Sequence, residues 1–549
     1  MRALVSRHSV LLVTTAPFLL VIASLLALIV GQNDGKVVYA LDDAYIHMAM
    51  AKNFVQNGVW GVTSYGFTST SSSPLWTLLI AVTYTLAGVN EASPLVLNVV
   101  FALSVVAAVY FFAKRRTSNE LVTSALLVAV IYVTPLPALI FSGMEHTLHV
   151  LLSLLFATLA AKTVTSGEYS AVGRAALLVL AMLLVATRYE GLFLVVVVGA
   201  ILLFQRRLKL SLLLGLAAIA PVVLYGAISL SQGWYLLPNS LLLKGMAPDA
   251  SSSSELIRSL GGRAIAQLRW SPPLMVLLAS VLALLALQYR KERWAITRNT
   301  NSILQLIFVG TMLLHLQFAS IGWFYRYEAY LVALALLAIG IPAAENISIF
   351  MSRVPDLRPL ATVTVTCLLG FALVPLAGRA LSSLGETPEA SNDRYLEHVY
   401  AAEFVATYYD DSPIVLGDIG AVAFYTNARI LDMYGLGSIE PIRFRKEPQG
   451  YGKHDVYAWT GQESAKIAII QLEWPYVSQR IPDEWQKVGE WKLPRNVVFE
   501  DTRVGFFAVD PHERGSLTEH LRSFSARAPN GIVQSIIYPS ESAQRSGEK

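Results

Sequence analysis

PLWTLLIAVTYTLAG, residues 74–88, is apolar but only 15 residues long, and whether it crosses a bilayer decides the topology of everything after it. About 20 apolar residues are needed to span roughly 30 Å of hydrocarbon. Runs of that length or near it lie at 10–30, 95–113, 121–141, 147–163, 172–187, 191–204, 210–231, 273–289, 303–321, 328–342 and 359–378. With a cytoplasmic N-terminus and 74–88 outside the bilayer core, four basic clusters fall on the cytoplasmic side. They are Lys114-Arg115-Arg116, Arg206-Arg207-Lys209, Arg290-Lys291-Arg293 and the pair Arg353 and Arg358. If 74–88 spans, all four move outside, against the bias of cytoplasmic loops toward Lys and Arg. The sequence therefore predicts a juxtamembrane helix at 74–88, eleven transmembrane helices, and a first extracytoplasmic loop over about 31–94.

Composition agrees with a polytopic α-helical membrane protein. The chain has 549 residues, 54% hydrophobic and 15% charged, with a mean hydropathy of +0.52. Its net charge is +4, and no basic tract alternates with aromatics, which argues against nucleic acid as a partner. The lone Cys367 allows no internal disulfide. From about residue 380 charged residues become frequent, and SPIVLGDIGAVAFYT, ARILDMYGL, AKIAIIQLE and RVGFFAVD alternate with helix-like segments. Residues 1–379 thus read as a transmembrane module and 380–549 as a soluble α/β domain. An odd number of spans puts that domain outside the cytoplasmic (inner) membrane. The tail SESAQRSGEK has the composition of a disordered segment.

The same topology sorts the ionisable residues. Asp42 and Asp43 in LDDAYIHMAMAKNF, Glu145 in FSGMEHTLH, Glu190 in TRYEG and Glu328 in FYRYEAY all fall at outer ends of spans, with Arg188, Lys244 in LPNSLLLK and Arg326. A charge at the bilayer centre costs something like 2.5–3.5 kcal/mol on insertion scales, so a cluster on one face invites a functional reading. Each residue has a plainer role as well. Asp42 or Asp43 would cap the helix that follows. Arg188 and Glu190 would neutralise each other at a hairpin tip, and Arg326 and Lys244 would anchor at the interface. The functional reading makes Asp42 and Asp43 the catalytic pair, one acting as general base toward an acceptor hydroxyl. Arg326, Arg188 and Lys244 would hold a phosphate. Glu145, Glu190, Tyr45 and Asn239 would complete the polar site. His47, four residues after Asp43 and on the same helical face, makes Asp43, His47 and Glu145 candidate ligands for a divalent metal.

Carboxylates to activate a hydroxyl, cations to stabilise a departing phosphate and an apolar groove at the outer leaflet suit glycosyl transfer from a polyprenyl phosphate. In this order LDDAYIHMAMAKNF, SSSPLW, SGMEH, TRYEG, LPNSLLLK and WFYRYEAYL resemble the polytopic GT-C glycosyltransferases. The nearest resemblance is to mycobacterial cell-wall arabinofuranosyltransferases with an extracytoplasmic C-terminal domain; the chain is more distantly similar to lipid A aminoarabinose transferases and protein O-mannosyltransferases. It covers about residues 1–345, and GDIGAVAFYTNARILDMYGLGS extends it weakly. The resemblance implies a base at Asp42 or Asp43 and a polyprenyl-phosphate-linked sugar donor used outside the membrane. The acceptor would be an envelope glycan, lipid or protein. Tyr189 stands where such proteins carry proline, and leucines replace aromatics in LPNSLLLK. Two other classes stay open at this point. A transporter or flippase would also gather charges, but usually with repeated halves, and no repeat is visible here. A non-enzymatic assembly protein would use the α/β domain as a binding module.

Overall fold

The computed structural model describes residues 8–166, 170–244, 253–293, 298–353, 359–498, 502–529 and 532–537. Every apolar run forms a helix. In chain order the membrane module contains α1 (Ser9–Gln32), α2 (Asp43–Asn57), α3 (Pro74–Ala87), α4 (Ser93–Lys114), α5 (Glu120–Val133), α6 (Leu136–Phe141), α7 (His146–Thr165) and α8 (Ala171–Thr187). It continues with α9 (Gly191–Phe204), α10 (Leu208–Ser231), α11 (Asn239–Lys244), α12 (Ser253–Trp270), α13 (Pro272–Glu292), α14 (Thr300–Phe318), α15 (Ala329–Arg353) and α16 (Pro359–Arg394).

Seven spans among the described residues are long and apolar enough to cross a bilayer, counting α5 and α6 as one. The break between those two falls at Pro135, which has no N–H to donate and restricts the residue before it. Helices α8 and α9 are shorter, with 17 and 14 residues. Helix α3 has 14 residues, about 21 Å at 1.5 Å per residue, the same length as α9. It packs against α2, α4 and α8.

Helix α16 runs through residue 380 without interruption. A single π-helical turn, Tyr395–Val399, leads into α17 (Tyr400–Tyr408), so the two modules share a continuous helical arm. The C-terminal domain then forms β1 (Pro413–Leu416), α18 (Gly420–Tyr425), β2 (Arg429–Asp432), α19 (Glu440–Lys446), α20 (Lys453–Gln462) and β3 (Ile467–Gln471). After these come α21 (Pro475–Ser478), β4 (Gln486–Lys492), β5 (Arg503–Ala508), α22 (Glu513–Ser525) and β6 (Val533–Ile536). The sheet order is β2-β1-β3-β5-β4-β6. Strands β2, β1 and β3 are mutually parallel, while β5, β4 and β6 add antiparallel. The sequence of β3, IAIIQ, apolar up to its final Gln471, is buried along its whole length, as a central strand covered on both faces requires. Trp491 on β4 packs 4.4 Å from Phe506 on β5 and 4.7 Å from Tyr400 on α17, which ties the helical arm to the sheet.

Docking of the two modules is specific. Helix α2 lies along α18 and holds both of its ends. Asp42, just before α2, accepts the backbone N–H groups of Gly420 at 2.5 Å and Ala421 at 2.8 Å. Lys52, farther along α2, donates to the carbonyls of Phe424 at 2.7 Å and Thr426 at 3.2 Å. A carboxylate at the N-terminus and an ammonium at the C-terminus complement the unsatisfied groups and dipole of α18.

Candidate functional site

The adjacent acids have different surroundings. Asp42 is buried and makes no side-chain capping bond to α2; its oxygens cap α18 of the other module instead. Gly420 is required for that approach, because a Cβ there would stand 2.5 Å from Asp42 Oδ2. Asp43 opens α2 with its side chain 20% exposed, and Arg326 NH2 donates to its Oδ2 at 2.6 Å. The Arg326 guanidinium is buried beside Met144 and lies 5.0 Å from the Tyr327 ring centre. Its Nε has no hydrogen-bond partner among the described residues.

Two cavities meet at Asp43. One, about 500 Å³, lies between the modules and is lined by Asp42, Asp43, Trp323, Tyr327, Arg394, Asp418, Tyr434 and Trp474, among others. The second, about 470 Å³, lies among the membrane helices. Leu192, Phe193, Ile219, Val222, Leu241 and Phe318 make it apolar, and Arg188, Glu190 and Arg326 add charge. Asp43, Ser320 and Tyr327 line both.

Arg188 is held by two acids. It forks onto Glu190 through NH2 at 2.6 Å and Nε at 3.1 Å, and its NH1 reaches Glu145 at 2.6 Å. The mutual neutralisation open to Arg188 and Glu190 is present, and Glu145 joins it. His47 Nε2 lies 3.8 Å from Glu145, while its Nδ1 faces Thr77 Oγ1 at 2.8 Å. Glu328 is paired with Arg379 at 2.6 Å and accepts the Gly322 N–H at 2.7 Å, which anchors the loop before α15. Tyr45 is buried between Tyr39 and Tyr425, with ring centres 5.8 Å and 5.7 Å away. Asn239 donates to the carbonyls of Gly435 and Ser438 at 2.8 and 3.2 Å. Both therefore join the membrane module to the C-terminal domain. The Lys244 side chain lies outside the described residues.

The C-terminal domain supplies groups that the reading of the sequence did not name. Asp418 follows β1, at the carboxyl end of a parallel strand, where open α/β sheets place ligands. His398, on the π-helical turn, places Nε2 at 3.2 Å from Asp418. Its Nδ1 lies 3.3 Å from Arg394 and 3.7 Å from Glu397, and Arg394 contacts Glu397 at 3.0 Å. Burial and then the neighbouring Asp418 raise Asp42 above the ordinary carboxylate range. Burial pushes Asp418 the same way, but its hydrogen bond to His398 overcomes this and lowers it. Burial opposes charge on His398; Glu397 and Asp42 outweigh it and raise the imidazole to about 9. The short sequence LGDIG was the available signal for Asp418. Nothing local marks His398 or Arg394.

The proposed metal set Asp43, His47 and Glu145 is divided by its ion pairs, since Asp43 faces Arg326 and Glu145 faces Arg188. Among the described residues, Asp42, His398 and Asp418 instead bring three potential ligand atoms within 4.8 Å of one another. Asp42 already accepts two N–H groups and His398 faces Asp418, so this trio also forms a hydrogen-bonded clamp without an ion.

The profile of a domain of unknown function, DUF8728, matches residues 391–507. No curated protein matches the sequence. ArnT from Cupriavidus metallidurans bound to undecaprenyl phosphate superposes with a TM-score of 0.53 at 13% identity, covering 90% of this chain and 98% of that one. Its apo state gives 0.50 at 12% identity, covering 91% and 99%. The fold is GT-C-like. An Archaeoglobus fulgidus oligosaccharyltransferase in the apo form scores 0.49 at 10% identity, over 90% of this chain and 74% of that one. The chain is a multi-pass membrane protein carrying a C-terminal mixed α/β domain.

Proposed function

We propose that the protein is a GT-C-type glycosyltransferase, a hexosyl- or pentosyltransferase that moves a sugar from a polyprenyl-phosphate donor to an acceptor hydroxyl on an envelope glycan, lipid or protein. The observation that carries this reading is the position of Asp43, on the wall of both cavities and 2.6 Å from a buried arginine. The apolar cavity suits a polyprenyl chain, and ArnT, which shares the fold, was solved with undecaprenyl phosphate. The cavity between the modules, with Asp42, Asp43, Arg394 and Asp418 on its wall, suits an acceptor.

In this reaction Asp43 accepts the proton of the acceptor hydroxyl as its oxygen bonds to the anomeric carbon. The bond from that carbon to the phosphate oxygen breaks, and the electron pair leaves with the polyprenyl phosphate. Arg326 exchanges Asp43 for the phosphate, with its unpartnered Nε as an additional donor. Arg188, already engaged with Glu145 and Glu190, positions this end of the cavity. Asp42 holds the C-terminal domain in place, and the site faces the extracytoplasmic side.

The test is donor binding and sugar transfer by purified protein in lipid nanodiscs. Arg326→Ala is expected to weaken binding of undecaprenyl phosphate and slow transfer, and Arg326→Lys to restore only part, because a point charge replaces a fork. Transfer at the unmodified rate in Arg326→Ala would exclude this assignment.

A further inference from the structure

We infer that the cavity between the modules binds a saccharide, so that the acceptor is a glycan rather than a peptide or a lipid tail. This rests on the transferase reading and names the substrate class of its second site. The lining combines the aromatic side chains of Trp323, Tyr434 and Trp474 with charged groups from Arg394 and Asp418. That is the pairing a sugar needs. Its C–H faces pack on the negative faces of aromatic rings, and its hydroxyls both donate to carboxylates and accept from guanidinium. The volume of about 500 Å³ lies within the roughly 300–1,000 Å³ range of small-molecule sites.

The rings are held in place. Trp474 and Tyr434 lie 4.8 Å apart, and Tyr434 is 5.0 Å from Tyr476. Arg445 and Arg480 lie 4.5 and 4.3 Å from the Tyr476 ring centre. Such bracing lowers the ordering cost of binding.

Other occupants fit less well. A lipid tail would strip water from Asp42, Asp43 and Asp418 and return no hydrogen bond. An extended peptide would need backbone partners near the edge strand β2. There Asp432 already accepts the N–H groups of Tyr434 at 2.8 Å, Gly435 at 3.0 Å and Gly437 at 2.7 Å.

The experiment uses the full chain in nanodiscs with two probe sets, an array of soluble pentose and hexose oligosaccharides and an array of Ser-, Thr- and Asn-containing peptides. Undecaprenyl phosphate binding is measured in parallel. At least one saccharide is expected to bind, with Trp474→Ala weakening it by about tenfold and Trp474→Phe retaining most of the affinity. Donor-lipid binding is expected to stay unchanged in both. Trp323→Ala provides a second test on the membrane module if Trp474→Ala does not fold. Peptide binding without saccharide binding, no saccharide binding at all, or saccharide binding indifferent to both tryptophans overturns the inference. Loss of donor-lipid binding or transfer in the unmodified protein, with tryptophan-dependent saccharide binding intact, counts against the transferase reading alone.

Discussion

At the scale of single residues, two adjacent aspartates have different partners, Asp42 the start of α18 and Asp43 the guanidinium of Arg326. The sequence announced the pair, because two acids beside an apolar run are costly there. It did not distinguish them, because the partners of Asp42 lie more than 370 positions away. Replacing Asp42 with Asn keeps the size of the side chain but sets an amide NH2 against one of the two backbone N–H groups that Asp42 accepts, leaving that buried donor unsatisfied. The expected loss is on the order of 1.5–3 kcal/mol of stability, read as a lower melting temperature with donor-lipid binding retained. His398 adds a pH dependence to the same clamp. Its folded pKa, near 9, stands above the ordinary value of about 6.5. Its stabilising contribution is therefore full below pH 6.5 and is lost as pH rises through 9. Asp42, held up to about 8, adds a decline of its own as pH rises to that value. Thermal melting should therefore show a decline across the window that is smaller in His398→Gln and is confined there to its lower part.

At the scale of elements, two short segments shape the site. Helix α18 is held by α2 at both ends, and Gly420 lets the helices meet. Gly420→Ala is expected to push Asp42 away and cost about 1–3 kcal/mol, measured by denaturation with the melting of Asp42→Asn as reference. The second segment precedes α15. Gly322, Trp323, Phe324 and Tyr325 all have left-handed backbone, with φ of 80°, 49°, 60° and 61°. Each non-glycine residue there costs roughly 1–2 kcal/mol, so the turn needs outside support. Arg379 supplies it, donating to the Tyr325 carbonyl at 2.8 Å while pairing with Glu328. Arg379→Met should release the turn that presents Trp323 and Arg326, lowering transfer with no change at the chemical groups themselves; hydrogen exchange over residues 320–328 would register the release. The string WFYRYEAY showed the charges but not the turn, because aromatic residues carry no signal for positive φ.

At the scale of the whole molecule, the membrane module was legible because apolar length is a local property. Helices α3 and α9 have 14 residues each, so length does not separate them, and the charge argument alone sets 74–88 apart from the spans. The α/β character of the C-terminal domain was legible from runs such as AKIAIIQLE, which became the buried strand β3. The contribution of that domain to the cavity was not, since Asp418 and Arg394 come to its wall, with His398 between them, through tertiary contacts alone. The proposed orientation has its own test. A reporter fused after residue 115 should signal cytoplasm and one at residue 385 the exterior; an exterior signal at 115 would contradict eleven spans with the site outside.

The central claim is that Asp43 is the base at the junction of donor and acceptor cavities. The most direct measurement compares sugar transfer and donor-lipid binding in purified wild-type and Asp43→Asn protein. Asparagine cannot take the acceptor proton, so transfer should fall by roughly 10²–10⁴ while donor-lipid binding and melting temperature stay near wild type. Transfer by Asp43→Asn at the wild-type rate would contradict the account.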